Sequence, residues 1–234
     1  MLVKRWDKLP VDMQNDAVRP YYEILRKKAV SLLVKRLFDI VMSIVLLVVL
    51  SPVFLIVSLF IKADSKGPVF YRQERITQYG KMFKIFKFRT MVVNADKIGS
   101  LVTVNNDSRV TKIGKKLRKY RLDEIPQLLN ILTGDMTFVG TRPEVHKYVA
   151  CYTDEMKATL LLPAGVTSKA SIEYKDEEKI LKEAENTDEV YVERILGEKM
   201  SFNTDAIKCF SLGSDFVLLF STLYAMVSRE KMKL

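Results

Sequence analysis

One long run dominates the distribution of apolar residues along the chain. Residues 40–61 contain no ionisable side chain, and 22 residues in an α-helix extend roughly 33 Å, enough to cross a hydrocarbon core of about 30 Å. A second apolar stretch, residues 216–227, is too short to span a bilayer, and we expect it to be buried or to lie in the interface. The pattern predicts a membrane-associated protein.

Ser51 and Pro52 lie in the middle of this run. Proline removes one helical hydrogen bond and clashes with the carbonyl of Val48, so we expect a kink, with the Ser51 hydroxyl close enough to bond a freed carbonyl. Basic residues flank the run on both sides, and basic flanks favour the cytoplasmic face. A re-entrant helical hairpin would keep both flanks on that face. A kinked helix that crosses the bilayer remains the alternative at this point.

The remaining pattern predicts one soluble domain attached to the membrane helix. Phenylalanine-rich strands on either side of a turn at residues 78–80 predict a β-hairpin, and residues 107–122 predict a basic helix. The acid-rich residues 173–198 are typical of a helical, solvated face. The predicted divisions are an amphipathic lead at 1–32, a membrane helix at 33–61 and the domain at 62–234.

Residues 121–143, RLDEIPQLLNILTGDMTFVGTRP, combine an acid pair with helix-start and helix-stop signals. Pro126 suits the first turn of a helix, and Gly134 suits its end. Asp123 and Glu124 would then precede a helix N-terminus, where unpaired N–H groups and the helix dipole attract carboxylates and phosphates alike. An isolated acid pair would merely complement the dipole, so a functional interpretation depends on the rest of the chain.

Positive charge is concentrated directly after the membrane segment. The net charge of +10 divides into +4 for residues 1–61, +12 for residues 62–121 and −6 for residues 122–234. Such a basic block suits anionic lipid headgroups or a polyphosphate substrate. Nucleic acid is not expected, because the chain has no zinc-ligand spacing, helix-turn-helix pattern or aromatic RNA-binding signature.

The scarcity of other reactive residues narrows the chemistry. The chain has one histidine, His146, and two distant cysteines, Cys151 and Cys209, with neither metal-ligand spacing nor a nucleophile elbow. Zinc and Ser-His-Asp mechanisms are therefore excluded, and the GxxxxGK[ST] phosphate loop is absent as well. Carboxylates acting with Mg²⁺ remain as the reactive groups.

The motifs together resemble the bacterial monotopic phosphoglycosyl transferases over roughly residues 35–200. These motifs are KRLFDI at 35–40, Ser51-Pro52, IKADSKGPVFYRQERI at 61–76, KIFKFRTM at 84–91, the segment at 107–143 and LPAGVTSKASI at 162–172. The resemblance implies transfer of a sugar 1-phosphate from a UDP-sugar to undecaprenyl phosphate, with release of UMP. It also implies a membrane-associated, mostly helical α/β fold on the cytoplasmic face of the bacterial inner membrane, with a re-entrant helix broken at Ser-Pro and amphipathic interfacial helices.

The resemblance also implies a role for each candidate site residue. By position in the motifs, Asp123 corresponds to the nucleophile and Glu124 to its partner that binds Mg²⁺, with Mn²⁺ as an alternative metal. Arg118, Lys87 and Arg142 correspond to basic residues that bind substrate phosphate. A carboxylate nucleophile would divide one phosphoryl displacement into two, through an acyl-phosphate.

Three positions depart from the family pattern. Thr141 replaces a common proline, Arg121 replaces a small polar residue, and Ser168 ends a GVTS segment that is often Gly-Ile-Thr-Gly. None of these removes a candidate catalytic group. The expected partners are a UDP-sugar, undecaprenyl phosphate and anionic lipids, and the lead could serve to stabilise the fold or in self-association.

Two functions of other classes compete with this interpretation. One is a membrane-anchored scaffold that uses its basic block to bind lipid, and it would be indifferent to substitution of Asp123. The other is a hydrolase of lipid pyrophosphates, which would use water as the acceptor and form no UMP.

Overall fold

The computed structural model describes residues 2–95, 107–174 and 186–227, which form a mostly helical α/β structure with two small two-stranded sheets. The expected fold class is confirmed at that level. The helices are α1 (Arg19–Lys27), α2 (Ala29–Val49), α3 (Ser51–Asp64), α4 (Lys112–Lys119), α5 (Gln127–Thr133), α6 (His146–Val149), α7 (Lys169–Glu173), α8 (Thr187–Val190), α9 (Gly197–Lys208) and α10 (Leu212–Val227). The strands are β1 (Phe70–Ile76), β2 (Met82–Phe88), β3 (Met136–Val139) and β4 (Ala164–Thr167).

The long apolar run forms two helices instead of one. α2 ends at Val49, α3 begins at Ser51, and the two are bent by 60°. The Ser51 hydroxyl donates a hydrogen bond to the carbonyl of Val48 (2.8 Å), the group that Pro52 deprives of an amide partner. The predicted kink and the predicted role of Ser51 are both confirmed. Among the described residues no single helix is long and apolar enough to cross a bilayer, whereas α2 and α3 together have the required length and composition.

β1 and β2 form the predicted hairpin. The strands are antiparallel, with Tyr71 opposite Lys87 and Ile76 opposite Met82. The turn at 78–80 contains Tyr79 at φ 61° and Gly80 at φ 74°, the left-handed conformations that tight hairpin turns require. The second sheet pairs β3 with β4 in parallel.

Two predicted helices differ from expectation in their bounds. The basic helix expected over residues 107–122 is the shorter α4, because the Thr111 hydroxyl caps it by accepting a hydrogen bond from the Gly114 amide (3.0 Å). Of the acid-rich stretch at 173–198, residues 175–185 lie outside the described residues. From Thr187 onwards it is helical, with α8 leading through a π-helical turn at Tyr191–Leu196 into α9.

The N-terminal lead is part of the folded domain. Its buried residues Leu9, Met13, Val18 and Leu25 belong to the same apolar cluster as Met200 of α9. Of the two roles expected for this segment, stabilisation of the fold is therefore supported by its packing.

Charged residues near the start of α2 attach this helix to the rest of the domain. The buried Lys35 ammonium donates to the carbonyl of Val139 at the end of β3 (2.8 Å) and pairs with Asp215 of α10. Asp39, one turn later, accepts hydrogen bonds from the Thr137 hydroxyl (2.8 Å) and the Phe138 amide (3.3 Å). These contacts explain why KRLFDI carries charges beside an apolar run, since each charge has a partner on the domain.

Arg36 makes a second attachment. Its guanidinium donates to the carbonyls of Ile131 (2.6 Å) and Leu132 (2.9 Å) in the last turn of α5. A cation at this position pairs with the unsatisfied carbonyls of a helix C-terminus. Gly134 then ends α5 in the left-handed conformation, as predicted.

The C-terminal apolar stretch is a helix whose apolar side is exposed. Phe216, Val217, Phe220, Leu223 and Tyr224 of α10 are all more than one-third exposed. Burial of the stretch, one of the two predicted alternatives, is therefore wrong for these five side chains. Asp215, in the first turn of α10, pairs with Lys35 of α2, so a polar residue of α10 and not its apolar face makes this contact with the domain.

We expect Lys35→Met to destabilise the protein strongly. Removing one partner of a buried ion pair costs about 3–5 kcal/mol, because the remaining carboxylates stay buried without compensation. For a chain of this size that corresponds to a fall of roughly 6–20 °C in Tm, measurable by thermal unfolding in detergent. Lys62→Met, at an exposed lysine of α3, is the control and should leave Tm nearly unchanged. Equal Tm values for the two variants would contradict the assigned role of Lys35.

Candidate active site

The acid pair lies in a short 3₁₀ turn, Leu122–Glu124, between α4 and α5. Pro126 stands at the N-cap of α5, close to the predicted helix start. Arg121 precedes the turn with φ 55° and ψ 20°, a left-handed conformation in which a small polar residue fits with less strain. The departure from the family pattern at position 121 thus falls on a strained residue next to the acid pair.

Glu124 is the centre of a partly buried ion-pair network. Its Oε1 atom accepts hydrogen bonds from Lys87 Nζ (2.9 Å) and from Arg142 Nη2 (2.5 Å), and Oε2 lies 3.5 Å from Arg142 Nη1. The Glu124 side chain is only 13% exposed. The structure therefore brings together three of the predicted site residues at one carboxylate.

Asp123 differs from its neighbour in electrostatic environment. The residue is buried, and burial, followed by the charge of Glu124, raises the pKa of Asp123 above the usual value, against the opposing charges of Lys87 and Arg118. For Glu124, burial acts in the same direction, but Arg142 and Lys87 hold the pKa of Glu124 well below its usual value. When the pKa of one of two adjacent carboxylates is raised and that of the other is lowered, the two groups can take different chemical roles. Arg118 of α4 is near enough for its charge to oppose the rise in the pKa of Asp123.

Asn130 fixes the strand that carries Lys87. Its side-chain oxygen accepts from the Phe86 amide (2.8 Å), and its amide nitrogen donates to the Lys84 carbonyl (3.0 Å). The buried side chain thus pairs with the outer edge of β2 as a neighbouring strand would. Because Asn130 lies on α5, the helix that follows the acid pair, it links the strand of Lys87 to the segment that carries Glu124.

The loop after β3 carries Arg142 and is fastened to β4. The Gly140 amide donates to the Thr167 carbonyl (2.9 Å), and the Gly165 amide donates to the Thr141 carbonyl (2.7 Å). A Cβ atom at Gly165 would lie 2.1 Å from the Gly140 carbonyl oxygen, so glycine is required for this close approach. Thr141 takes part in this fastening only through its backbone carbonyl, which a proline at this position would also supply. The hydrogen bond from Gly165 therefore does not depend on whether threonine or proline is present.

Arg75 is a site residue that the sequence reasoning missed. Its guanidinium donates to the carbonyl of Pro143 (3.3 Å) and to the side-chain oxygen of Gln73 (2.8 Å and 3.3 Å). Arg75 lies on the same face of the hairpin as Tyr71, the residue opposite Lys87. The alternation of side chains between the two faces of β1 could have identified Arg75, because it places Arg75 on the same face as Tyr71.

Ser51 and Pro52 lie at the helix break and not among the charged groups. Leu46, Leu47 and Leu50, which lead into the break, pack against an apolar cluster that contains Ile85 of β2 and Leu128 of α5. The break is therefore in contact with the two elements that flank the ion-pair network.

The carboxylates of the site could hold a hard cation such as Mg²⁺ only if the substrate supplied further oxygen ligands. Among the described residues, no group of three or more His, Cys, Asp and Glu side chains is placed to hold a metal. Mg²⁺ is commonly held by one or two carboxylates together with substrate phosphates, and Glu124, the ligand expected from the sequence, would be the carboxylate here. Glu124 already accepts from two cations, so a metal would share it with Lys87 and Arg142.

Sequence comparison decides the family. The bacterial sugar transferase family model matches residues 30–229. The chain belongs to the bacterial sugar transferase family.

Three curated relatives illustrate the activities found in this family. The chain is 40% identical over 148 residues to UDP-glucose:undecaprenyl-phosphate glucose-1-phosphate transferase of Klebsiella pneumoniae (61% of this chain, 31% of the relative). It is 34% identical over 218 residues to the transferase of the same name from Escherichia coli strain K12 (91% and 44%). It is 31% identical over 193 residues to UDP-N-acetylgalactosamine-undecaprenyl-phosphate N-acetylgalactosaminephosphotransferase of Aeromonas hydrophila (81% and 43%). The chain thus spans less than half the length of these bacterial sugar transferases.

Proposed function

We propose that this bacterial sugar transferase moves a sugar 1-phosphate from a UDP-sugar to undecaprenyl phosphate, releasing UMP and forming undecaprenyl-diphosphate-sugar. The observation that carries the proposal is a buried aspartate, Asp123, beside a carboxylate that holds two cations, within a domain built onto a bent apolar helix pair. Such a site can neutralise a diphosphate next to a lipid surface. The donor and acceptor classes follow the names of the relatives, which differ in their sugars.

The reaction divides into two displacements at one phosphorus atom. In the first, a carboxylate oxygen of Asp123 attacks the phosphorus that bears the sugar, and the bond from that phosphorus to UMP breaks. The product is an aspartyl phosphosugar, and UMP leaves with the electron pair of the broken bond. In the second, a phosphate oxygen of undecaprenyl phosphate attacks the same phosphorus and releases the Asp123 carboxylate. The result is undecaprenyl-diphosphate-sugar and regenerated enzyme.

The surrounding cations stabilise charge in both displacements. We assign the binding of phosphate oxygens to Arg142 and Arg118, since guanidinium groups bind such oxygens through paired hydrogen bonds. Lys87 and Arg142 also keep Glu124 ionised. Glu124 would hold Mg²⁺ together with the donor phosphates, and the bound metal would neutralise charge on the donor diphosphate and on the departing UMP. Removing one such preorganised cation, as in Arg142→Ala, is worth about 3–4 kcal/mol of transition-state stabilisation.

The membrane arrangement follows from the exposed apolar surfaces. α2 and α3 expose large apolar side chains along their lengths, including Val41, Val48, Leu55 and Leu59, and α10 exposes a further apolar face. We propose that the bent pair enters and leaves the same leaflet, that α10 lies in the interface, and that the domain faces the cytoplasm. The basic flanks on both sides of the run support a re-entrant over a crossing arrangement.

UMP release tests the proposed reaction. We expect UMP from one member of a panel of UDP-sugars, with multiple turnovers only when undecaprenyl phosphate is present, because the acceptor regenerates Asp123. Excess EDTA should stop turnover and Mg²⁺ or Mn²⁺ should restore it.

The same assay separates the competing functions. Release of phosphate from a lipid pyrophosphate without any UMP would favour the hydrolase, and lipid binding without nucleotide chemistry would favour a scaffold. Either result, obtained across the full sugar panel, would contradict the proposed transfer. Unchanged turnover in excess chelator would contradict only the metal.

The pH profile of the first displacement depends on the ionisation of Asp123. Because burial and Glu124 raise the pKa of Asp123, the acid limb of single-turnover UMP release should lie above the ordinary aspartate pKa of about 3.9. Lys87→Met removes an opposing cation and leaves Glu124 less neutralised, and both effects raise the pKa of Asp123 further. The acid limb should therefore move to higher pH.

Lys84→Met is the matched control for this profile. Lys84 lies on the same strand as Lys87, but its side chain is about half exposed and pairs with Glu74 on the outer face. Its substitution should leave the acid limb in place. A limb that stays fixed or moves to lower pH in Lys87→Met would show that Asp123 does not govern the profile.

Thiol labelling in intact cells tests the topology. Cys151 and Cys209 are both exposed and would first be replaced by serine. A single cysteine would then be introduced at one of two exposed positions, Arg26 or Lys66. Each should resist an impermeant thiol reagent added outside the cells. Both should react after lysis. Labelling of one of them from outside would establish a crossing helix and exclude the re-entrant arrangement.

A further inference from the structure

A buried polar network begins at Glu144, two residues after Arg142 in the chain. The Glu144 carboxylate accepts a hydrogen bond from the Tyr191 hydroxyl (2.5 Å) and lies 3.5 Å from Lys199 Nζ, which also donates to the Tyr191 hydroxyl (2.9 Å). The three residues are only 4–6% exposed. The reaction proposed above uses none of them.

This network is costly to bury. An ion pair removed from water loses hydration that its mutual attraction only partly restores, and apolar residues of similar volume commonly replace such a pair at no cost in stability. Stabilisation of the fold therefore does not by itself explain why Glu144 and Lys199 are buried here. Their effect on geometry is the stronger reason, because a charged pair with hydrogen bonds has few alternative arrangements.

The helix that carries Tyr191 and Lys199 is irregular between them. Residues Tyr191–Leu196 form a π-helical turn before α9. In a regular α-helix, positions eight apart point roughly 80° away from each other. A π turn has more residues per turn and reduces that angle, so that both side chains reach Glu144. The irregularity therefore serves the network.

Glu144 connects this helix to the loop that carries Arg142. The Glu144 carbonyl accepts a hydrogen bond from the Ile76 amide (2.9 Å), and the preceding carbonyl, of Pro143, accepts from Arg75 (3.3 Å). The other side of the loop is fastened to β4 through Gly140 and Thr141. Arg142 thus extends from a backbone that is fixed on both sides, and the Glu144 side chain is a polar contact between that backbone and the C-terminal helices.

We propose that Tyr191 and Lys199 are positioning residues for Arg142, acting through Glu144. The helical segment Tyr191–Lys199 then sets the angle at which the Arg142 guanidinium meets the donor phosphates. This inference rests on the proposed function, because it assigns Arg142 to substrate phosphate. It predicts that loss of the Tyr191 hydroxyl harms transfer only through Arg142.

A double-mutant cycle on UMP release tests the coupling. Tyr191→Phe removes one hydroxyl and keeps the ring that packs on Tyr148 at 4.4 Å between centroids. A misplaced phosphate-binding group should lower kcat/KM roughly 10- to 100-fold. In an Arg142→Ala background, Tyr191→Phe should lower kcat/KM less than twofold. If the role of Tyr191 were purely structural, Tyr191→Phe would lower kcat/KM by the same factor in the wild-type and Arg142→Ala backgrounds.

Tyr21→Phe is the matched control. Tyr21 is also a buried tyrosine, and its hydroxyl bonds a carboxylate, Glu155, in the N-terminal packing. Its loss should change Tm by an amount similar to Tyr191→Phe while leaving kcat/KM unchanged. If Tyr191→Phe fails to fold, Lys199→Gln provides the same cycle.

The outcomes separate this inference from the proposed function. UMP release by the wild type, with equal effects of Tyr191→Phe in the two backgrounds, would overturn the positioning role alone. A wild type that releases no UMP from any UDP-sugar would overturn the proposed function and the positioning role with it. Loss of the Tyr191→Phe effect in the Arg142→Ala background is the result expected.

Discussion

The carboxylate of Glu124 joins three separately built parts of the molecule. It accepts from Lys87 on the hairpin and from Arg142 on the loop between the sheets, while its own backbone belongs to the turn that carries Asp123. Two cations would repel each other at this distance without a buried anion between them. Burial, and after it the charge of the same anion, raises the pKa of Asp123. One residue therefore gathers the cations and contributes to the ionisation of the proposed nucleophile.

A second set of buried charges relates this site to the apolar helices. Lys35, Arg36 and Asp39 attach the start of α2 to β3 and to the end of α5. α5 follows the acid pair directly, and β3 leads into the loop of Arg142. The acid pair thus lies at a fixed place relative to the bent helix pair. For an enzyme that uses a soluble donor and a lipid acceptor, this attachment would keep the reacting carboxylate within reach of the membrane surface.

The local features of this fold could be predicted from sequence because they depend on short-range physics. Proline geometry predicted the bend at Pro52, and a turn centred on residue 79 places Tyr71 opposite Lys87. The network of Glu144, Tyr191 and Lys199 could not be predicted, since its members are 47 and 8 residues apart and meet only through tertiary packing. The exposed face of α10 was ambiguous for the same reason: an apolar pattern shows which side chains avoid water, but not whether protein or lipid covers them.

The central claim is that Asp123 carries the sugar phosphate between donor and acceptor. Intact-mass spectrometry of enzyme incubated with its UDP-sugar and no acceptor tests it most directly. The mass should rise by one sugar phosphate, fragmentation should place the adduct on Asp123, and added undecaprenyl phosphate should remove it. Asp123→Asn should form no adduct. Single-turnover UMP release without any adduct, or an adduct mapped to another residue, would contradict the claim.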